Sequence, residues 1–171
     1  ISEDGEPVGK KISFFGWVLL FSRGSAIIFI IVFGLLLKFL LRVFEKPLFG
    51  DMRPVSPQIT VMVSKISLWL LSIPVIRFGA PLKQPGAFVA NHSSWLDIFA
   101  LNSGQSLYFV SKSEVSKWPG IGLLAKATGT LFIRRESKEA VAQKKLVGQR
   151  IKMGHRLLFF PEGTSTDGMR V

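Results

Sequence analysis

The run Asn91-His92-Ser93-Ser94-Trp95-Leu96-Asp97 holds the residues best able to do chemistry. The chain has two histidines and no cysteine, so few groups can move a proton near neutral pH. His92 follows a short apolar stretch at 87–90, and Asp97 lies five residues beyond it. On one continuous helix that step turns the side chains roughly 140° apart. A strand over 87–90, a turn at His92 and a helix capped by Ser93 or Ser94 instead let the two face each other. An imidazole whose tautomer is held by a carboxylate is a general base.

No protein nucleophile completes a triad. Ser93 and Ser94 are too close in sequence to His92 to meet it well. Gly163-Thr164-Ser165-Thr166-Asp167 has Asp where a G-x-S-x-G elbow needs its second glycine. His92 is therefore read as deprotonating a hydroxyl of a bound substrate, which attacks an activated acyl group directly. A hydrolase working through Ser165 is the rival, and a non-catalytic module binding anionic lipid is a second. General-base action contributes about 10²–10⁴-fold. The remainder falls to positioning and to oxyanion donors, with backbone amides near Ser93 or at Gly163 as candidates. His155 receives no role. Metal binding is not expected: there is no H-E-x-x-H, no calcium loop and no thiolate. No cofactor is expected, and no phosphate loop of the G-x-x-x-x-G-K-[ST] kind occurs.

The elements that must position these residues alternate. Strands are expected at 87–90, 107–110, 130–134 and 157–160. Helices are expected at 94–102, 115–127 and 138–153, the last capped by Ser137 with Glu139 in its first turn. Strand–helix repetition predicts an α/β domain with a largely parallel sheet. Sites in such sheets gather at the carboxyl ends of strands. His92 follows the first strand, Arg134 and Arg135 end the third, and Pro161-Glu162-Gly163-Thr164 follows the fourth.

The front of the chain is of another kind. Residues 24–37 are uncharged and almost wholly apolar. Fourteen helical residues reach only about 21 Å, short of a ~30 Å hydrocarbon core. Extended to Phe44 the helix can span, with Lys38 and Arg42 at its end. Arg23 and Gly24 separate it from an apolar lead-in, and Pro47, Gly50, Pro54 and Pro57 break the chain after it. A second helix over 58–73 carries Ile59, Met62, Val63, Ile66, Trp69, Leu70 and Ile73 on one face, and Thr60, Ser64 and Ser67 on another. It is expected to lie in the membrane surface or to pack on the first. Three acids in residues 1–11 argue against a signal peptide. The expected division is a polar N-terminus and lead-in at 1–23, a membrane-associated two-helix region at 24–76 and an αβ domain at 77–171.

Lys and Arg number 22 against 11 acids, a formal charge of +11. A basic body beside apolar segments suits anionic headgroups or an acidic partner. No recognition helix, zinc finger or RNA-binding signature points to nucleic acid. Basic residues at 38, 42, 46 and 53 follow the first helix and favour a cytoplasmic body.

Three motifs in order then carry a resemblance: Asn91-His92-x4-Asp97, Gly129-Thr130-Leu131-Phe132-Ile133-Arg134-Arg135, and Phe160-Pro161-Glu162-Gly163-Thr164. Residues 85–171 resemble the glycerolipid acyltransferases that make phosphatidic acid from lysophosphatidic acid. The resemblance implies that His92 and Asp97 are the catalytic base and its partner. It links Arg135, Glu162, Gly163 and Thr164 to the lysolipid acceptor. It also implies an N-terminal two-helix membrane motif, a bacterial inner-membrane location, and an acyl-CoA or acyl carrier protein donor. Many phosphatidic-acid-forming members carry Arg after the third motif, where this chain has Ser165. Phe-Pro-Glu-Gly-Thr-Ser-x-Asp-Gly is more similar to the branch that acylates lyso-ornithine lipid. The family usually continues beyond the third motif with a further strand, so an incomplete C-terminus is expected.

Overall fold

The structure of the chain is a computed structural model that describes residues 11–134 and 137–163. Arg135, Thr164 and Ser165 lie outside the described residues. Helix α1 (Phe14–Phe49) runs unbroken for 36 residues. It begins where the Ser13 hydroxyl accepts the Gly16 amide, and ends at Gly50, which turns the chain at φ +58. The expected interruption at Arg23-Gly24 is absent. One glycine costs a helix about 1 kcal/mol, and Arg23 reaches sideways to the Ser72 hydroxyl at 3.1 Å. Pro47 lies in the last turn, so the amide it lacks removes only a terminal bond.

Helix α2 (Ser56–Leu70) starts earlier than expected, because Pro57 occupies its first turn, where a missing amide costs nothing. Its burial draws on both kinds of residue. Ser64 and Ser67 are buried, whereas Met62 and Trp69 are 60% and 76% exposed. Ile59, Val61 and Leu68 are buried beside the hydroxyl residues. Small side chains let helices approach closely. Gly34 of α1 serves the same purpose: a Cβ there would overlap Val63 of α2. Polar bonds tie the hairpin further. Lys38 Nζ donates to Thr60 Oγ1 at 2.7 Å. Glu45 Oε1 accepts the amides of Val55 and Ser56, at 2.6 and 3.0 Å.

The body is an α/β sheet with every pairing parallel: β1 (Gly86–Val89), β2 (Tyr108–Lys112), β3 (Leu131–Ile133) and β4 (Arg156–Phe159), in the spatial order β1-β4-β2-β3. Helix α3 (Leu96–Asn102) links β1 to β2, α4 (Ile121–Thr128) links β2 to β3, and α5 (Ala140–Lys152) links β3 to β4. The helix expected at 115–127 is split. Residues Ser113–Lys117 form a 3-10 turn, and Pro119-Gly120 separate it from α4. A 3-10 turn over Ser137–Glu139 likewise precedes α5, whose cap position falls on Glu139 and not on Ser137. One face of the sheet packs Tyr108, Val110, Leu131 and Leu157 against Val147 and Ile151 of α5. The other packs Leu107, Phe109 and Leu158 against Leu101 of α3.

At the amino edge of the sheet, the connection between α1 and α2 meets the body. Arg53, itself at φ +52, lies against Gly129, whose φ of +87 and bare Cα leave room for the guanidinium and the Tyr108 ring. His155 is buried there. It stacks on Tyr108 at 4.3 Å and lies 3.4 Å from both the Met52 carbonyl and Arg150 Nη1. Burial first, then the Arg150 charge, push its pKa below the usual imidazole value. The unfolded chain therefore binds a proton more readily at this site than the folded chain does. The stabilisation is complete above about pH 6.5 and declines as pH falls below it. Thermal melts should show a lower midpoint at pH 5 than at pH 7.5. His155→Phe, which keeps the ring stack, should flatten that difference; an unchanged slope would clear His155.

Candidate active site

His92 stands just past β1, at the carboxyl edge of the sheet. Its Nδ1 lies 3.0 Å from Asp97 Oδ2. Asp97 sits in the first turn of α3, and the same oxygen accepts the amides of Ser93 at 2.7 Å and Ser94 at 2.9 Å. The expected serine cap is thus replaced. Asp97 reaches back to hold the loop amides, while Ser94 Oγ accepts only the Leu96 amide at 3.2 Å. Burial works against the Asp97 charge, but the bonds from Ser94, His92 and Ser93 outweigh it and hold the carboxyl below its ordinary pKa. An ionised carboxylate only accepts, so Nδ1 is the donor, and in the neutral ring the lone pair lies on Nε2. Among the described residues nothing hydrogen-bonds Nε2. The side chain retains 18% exposure, so a substrate hydroxyl can approach.

Strand order brings in the third motif. Because β4 lies beside β1, Glu162 meets the histidine loop across 70 residues of sequence, and its Oε2 accepts the His92 amide at 3.0 Å. The His92 ring stacks on Phe160 at 4.1 Å, and Phe160 stacks on Phe109 of β2 at 5.6 Å. The imidazole is therefore fixed by a carboxylate at one edge and an aromatic ring on one face. Neither Phe160 nor the Glu162 bond was legible as a support of His92. The signal, Phe160 adjoining the third motif, has meaning only once β1 and β4 are neighbours.

Two expected oxyanion donors are already engaged. The Ser93 amide is spent on Asp97, and the Gly163 amide donates to the Phe160 carbonyl at 3.1 Å, with Gly163 at φ +69. Arg134 directly follows β3 and pairs with Glu139 at 3.1 Å, its side chain 61% exposed. An open depression of about 500 Å³ lies between α5 and the ends of β2 and β3, lined by Phe132, Arg134, Gln143 and Leu146 among others. Its lining includes neither His92 nor Asp97.

A parallel α/β sheet with a His–Asp pair at its carboxyl edge, joined to a long apolar helix, defines the class of protein. Its fold is that of the crystal structure of the Thermotoga maritima 1-acyl-sn-glycerophosphate acyltransferase PlsC, with a TM-score of 0.52 and 22% identity over 87% of this chain and 66% of that one. Residues 73–171 match the family model described as Acyltransferase, and the chain belongs to that family. It is 49% identical over 168 residues to a lyso-ornithine lipid O-acyltransferase of Rhodobacter capsulatus, covering 98% of this chain but 61% of that protein. It is 36% identical over 92 residues to a 1-acyl-sn-glycerol-3-phosphate acyltransferase of Neisseria gonorrhoeae, covering 53% of this chain and 36% of that protein. The chain thus spans about three fifths of the length of the first of these relatives.

Proposed function

We propose that the whole protein moves a fatty acyl group from an acyl thioester to the hydroxyl of a lysolipid, with lyso-ornithine lipid preferred over 1-acyl-glycerol-3-phosphate. The observation that carries this is the Nδ1–Asp97 bond, which leaves Nε2 a base at an accessible rim. Nε2 takes the proton of the acceptor hydroxyl as its oxygen attacks the thioester carbonyl. The new C–O bond forms, the C–S bond breaks, and the imidazolium returns the proton to the departing thiolate. Glu162 acts by fixing the backbone of His92. Arg135, Gly163 and Thr164 belong to the acceptor side by family resemblance. The preference for lyso-ornithine lipid is supported by Ser165, where a phosphate-binding arginine is common, and by the nearly chain-long match to the Rhodobacter capsulatus protein. An acceptor without a phosphate needs one guanidinium fewer.

The donor is acyl-CoA or acyl carrier protein; the latter is acidic and suits the formal charge of +11. The site is the cytoplasmic face of the bacterial inner membrane. α1 is about 54 Å long by its residue count, enough to enter or cross a ~30 Å core. The test is an assay of full-length protein in lipid nanodiscs offered both lysolipids with both donors. Esterified ornithine lipid is the expected product. Release of free fatty acid without ester would indicate a hydrolase instead, and absence of turnover with any thioester would indicate a lipid-binding module.

A further inference from the structure

The corner between β2 and α4 carries exposed apolar side chains that the proposed reaction does not use. Residues 117–121 are exposed in succession, with Trp118 and Ile121 at 54% and 53%, and Leu123 follows at 69%. A scattered apolar side chain on a surface is ordinary, but three within six residues, one of them tryptophan, form a patch. The corner is also rigidly built. The Gly122 amide donates to the Trp118 carbonyl at 2.8 Å, the Leu124 amide to the Gly120 carbonyl at 3.0 Å, and Ser116 Oγ to the Ser113 carbonyl at 2.6 Å. Gly122 has no room for a Cβ against the Ser116 carbonyl, so the 3-10 turn and α4 are locked together. Over 112–126 the charges are Lys112, Lys117 and Lys126 against Glu114 alone.

Topology places this corner at the carboxyl edge, the rim that also holds His92, because it directly follows β2 in a wholly parallel sheet. The free part of α1 lies toward that same rim. The chain enters α2 at the amino edge, where Met52 and Arg53 meet His155 and Gly129. α2 then runs about 22 Å and packs on α3, which begins just past His92. Arg23 bonds Ser72 beyond the far end of α2, so residues 14–22 continue past the hairpin with their apolar side chains exposed.

We propose that the Lys117–Leu123 corner is a second membrane contact, seated in the headgroup region of the anionic bilayer that α1 enters. Tryptophan beside lysine suits that depth, since the ring is apolar with one polar edge and the ammonium pairs with acidic headgroups. Two contacts at one rim would keep His92 level with the hydroxyl of a lipid acceptor that never leaves the membrane. The direction of the rim rests on the proposed function, but contact is measured without turnover, so either can fail alone.

The experiment uses full-length protein in which Trp17, Trp69 and Trp95 are replaced by Phe, leaving Trp118 as the only tryptophan of this chain. The protein is placed in vesicles of phosphatidylcholine and phosphatidylglycerol, and its fold is checked by circular dichroism. The expected result is emission shifted to shorter wavelength and quenched by phosphatidylcholine brominated high on its acyl chains, with quenching weakened when phosphatidylglycerol is omitted. Emission typical of water without quenching overturns the proposal. So does shifted but unquenched emission, which would mean that another segment of the protein or an acidic carrier protein covers the corner.

Discussion

Full-length protein with His92→Ala is expected to esterify lysolipid about 10²–10⁴-fold more slowly than the parent at saturating substrate. The loss should fall on kcat, because in the proposed mechanism the imidazole takes the proton that moves in the transition state. Truncation also removes the ring stacked on Phe160. His92→Gln is the companion variant, retaining most of the volume and an amide that can reach Asp97. Both should insert in the membrane and give the helical circular dichroism of the parent. Either variant turning over at the parental rate would remove His92 from the chemistry.

Asp97 separates two contributions that His92 cannot. Its Oδ2 accepts from the imidazole and from two backbone amides at once. Asp97→Asn retains an oxygen for the amides of Ser93 and Ser94 but no longer forces Nδ1 to be the protonated nitrogen. By analogy with the serine-protease triad, where the same exchange selects the wrong tautomer, kcat should drop by about 10³–10⁴-fold with little loss of stability. Asp97→Ala abandons the loop amides as well, and should add a destabilisation of roughly 0.5–2 kcal/mol, the usual worth of a cap at a helix start. Denaturant titration in detergent alongside initial rates distinguishes the two. Equal stability of the Asn and Ala variants would refute the capping role, and an Asn variant at parental kcat would refute the tautomer role.

The acid sensitivity of that loop follows from the same bonds. The depressed Asp97 pKa means its stabilising contribution is present above the unfolded carboxylate value of about 3.9 and fades as pH falls through the lower folded value. At neutral pH the acceptor is ionised, as the proposed mechanism needs.

The His–Asp pair was legible because it is local. Five residues, a short apolar run before them and one turn suffice to bring the groups together, whatever the rest of the chain does. The parallel sheet was legible for a similar reason, since strand and helix patterns alternate at lengths that forbid hairpins. Boundaries were less so. Pro119-Gly120 splits a segment whose apolar spacing alone reads as one helix. Arg23 and Pro47 do not interrupt α1, because a partner hydroxyl receives the first and the helix terminus absorbs the second. Apolar spacing along α2 did not tell which residues pack: Ser64 and Ser67 are buried together with Ile59, Val61 and Leu68, while Met62 and Trp69 stay outside.

By itself, then, the sequence determined the pairing of His92 with Asp97, the alternation of an α/β body and an apolar helix ahead of it, since each is written within a few adjacent residues. Only the tertiary structure decided that β4 inserts beside β1, that Glu162 holds the His92 amide from 70 residues away, and that Phe160 backs the imidazole. Strand order depends on which faces the helices cover when the whole chain packs, and no local pattern of residues carries that information.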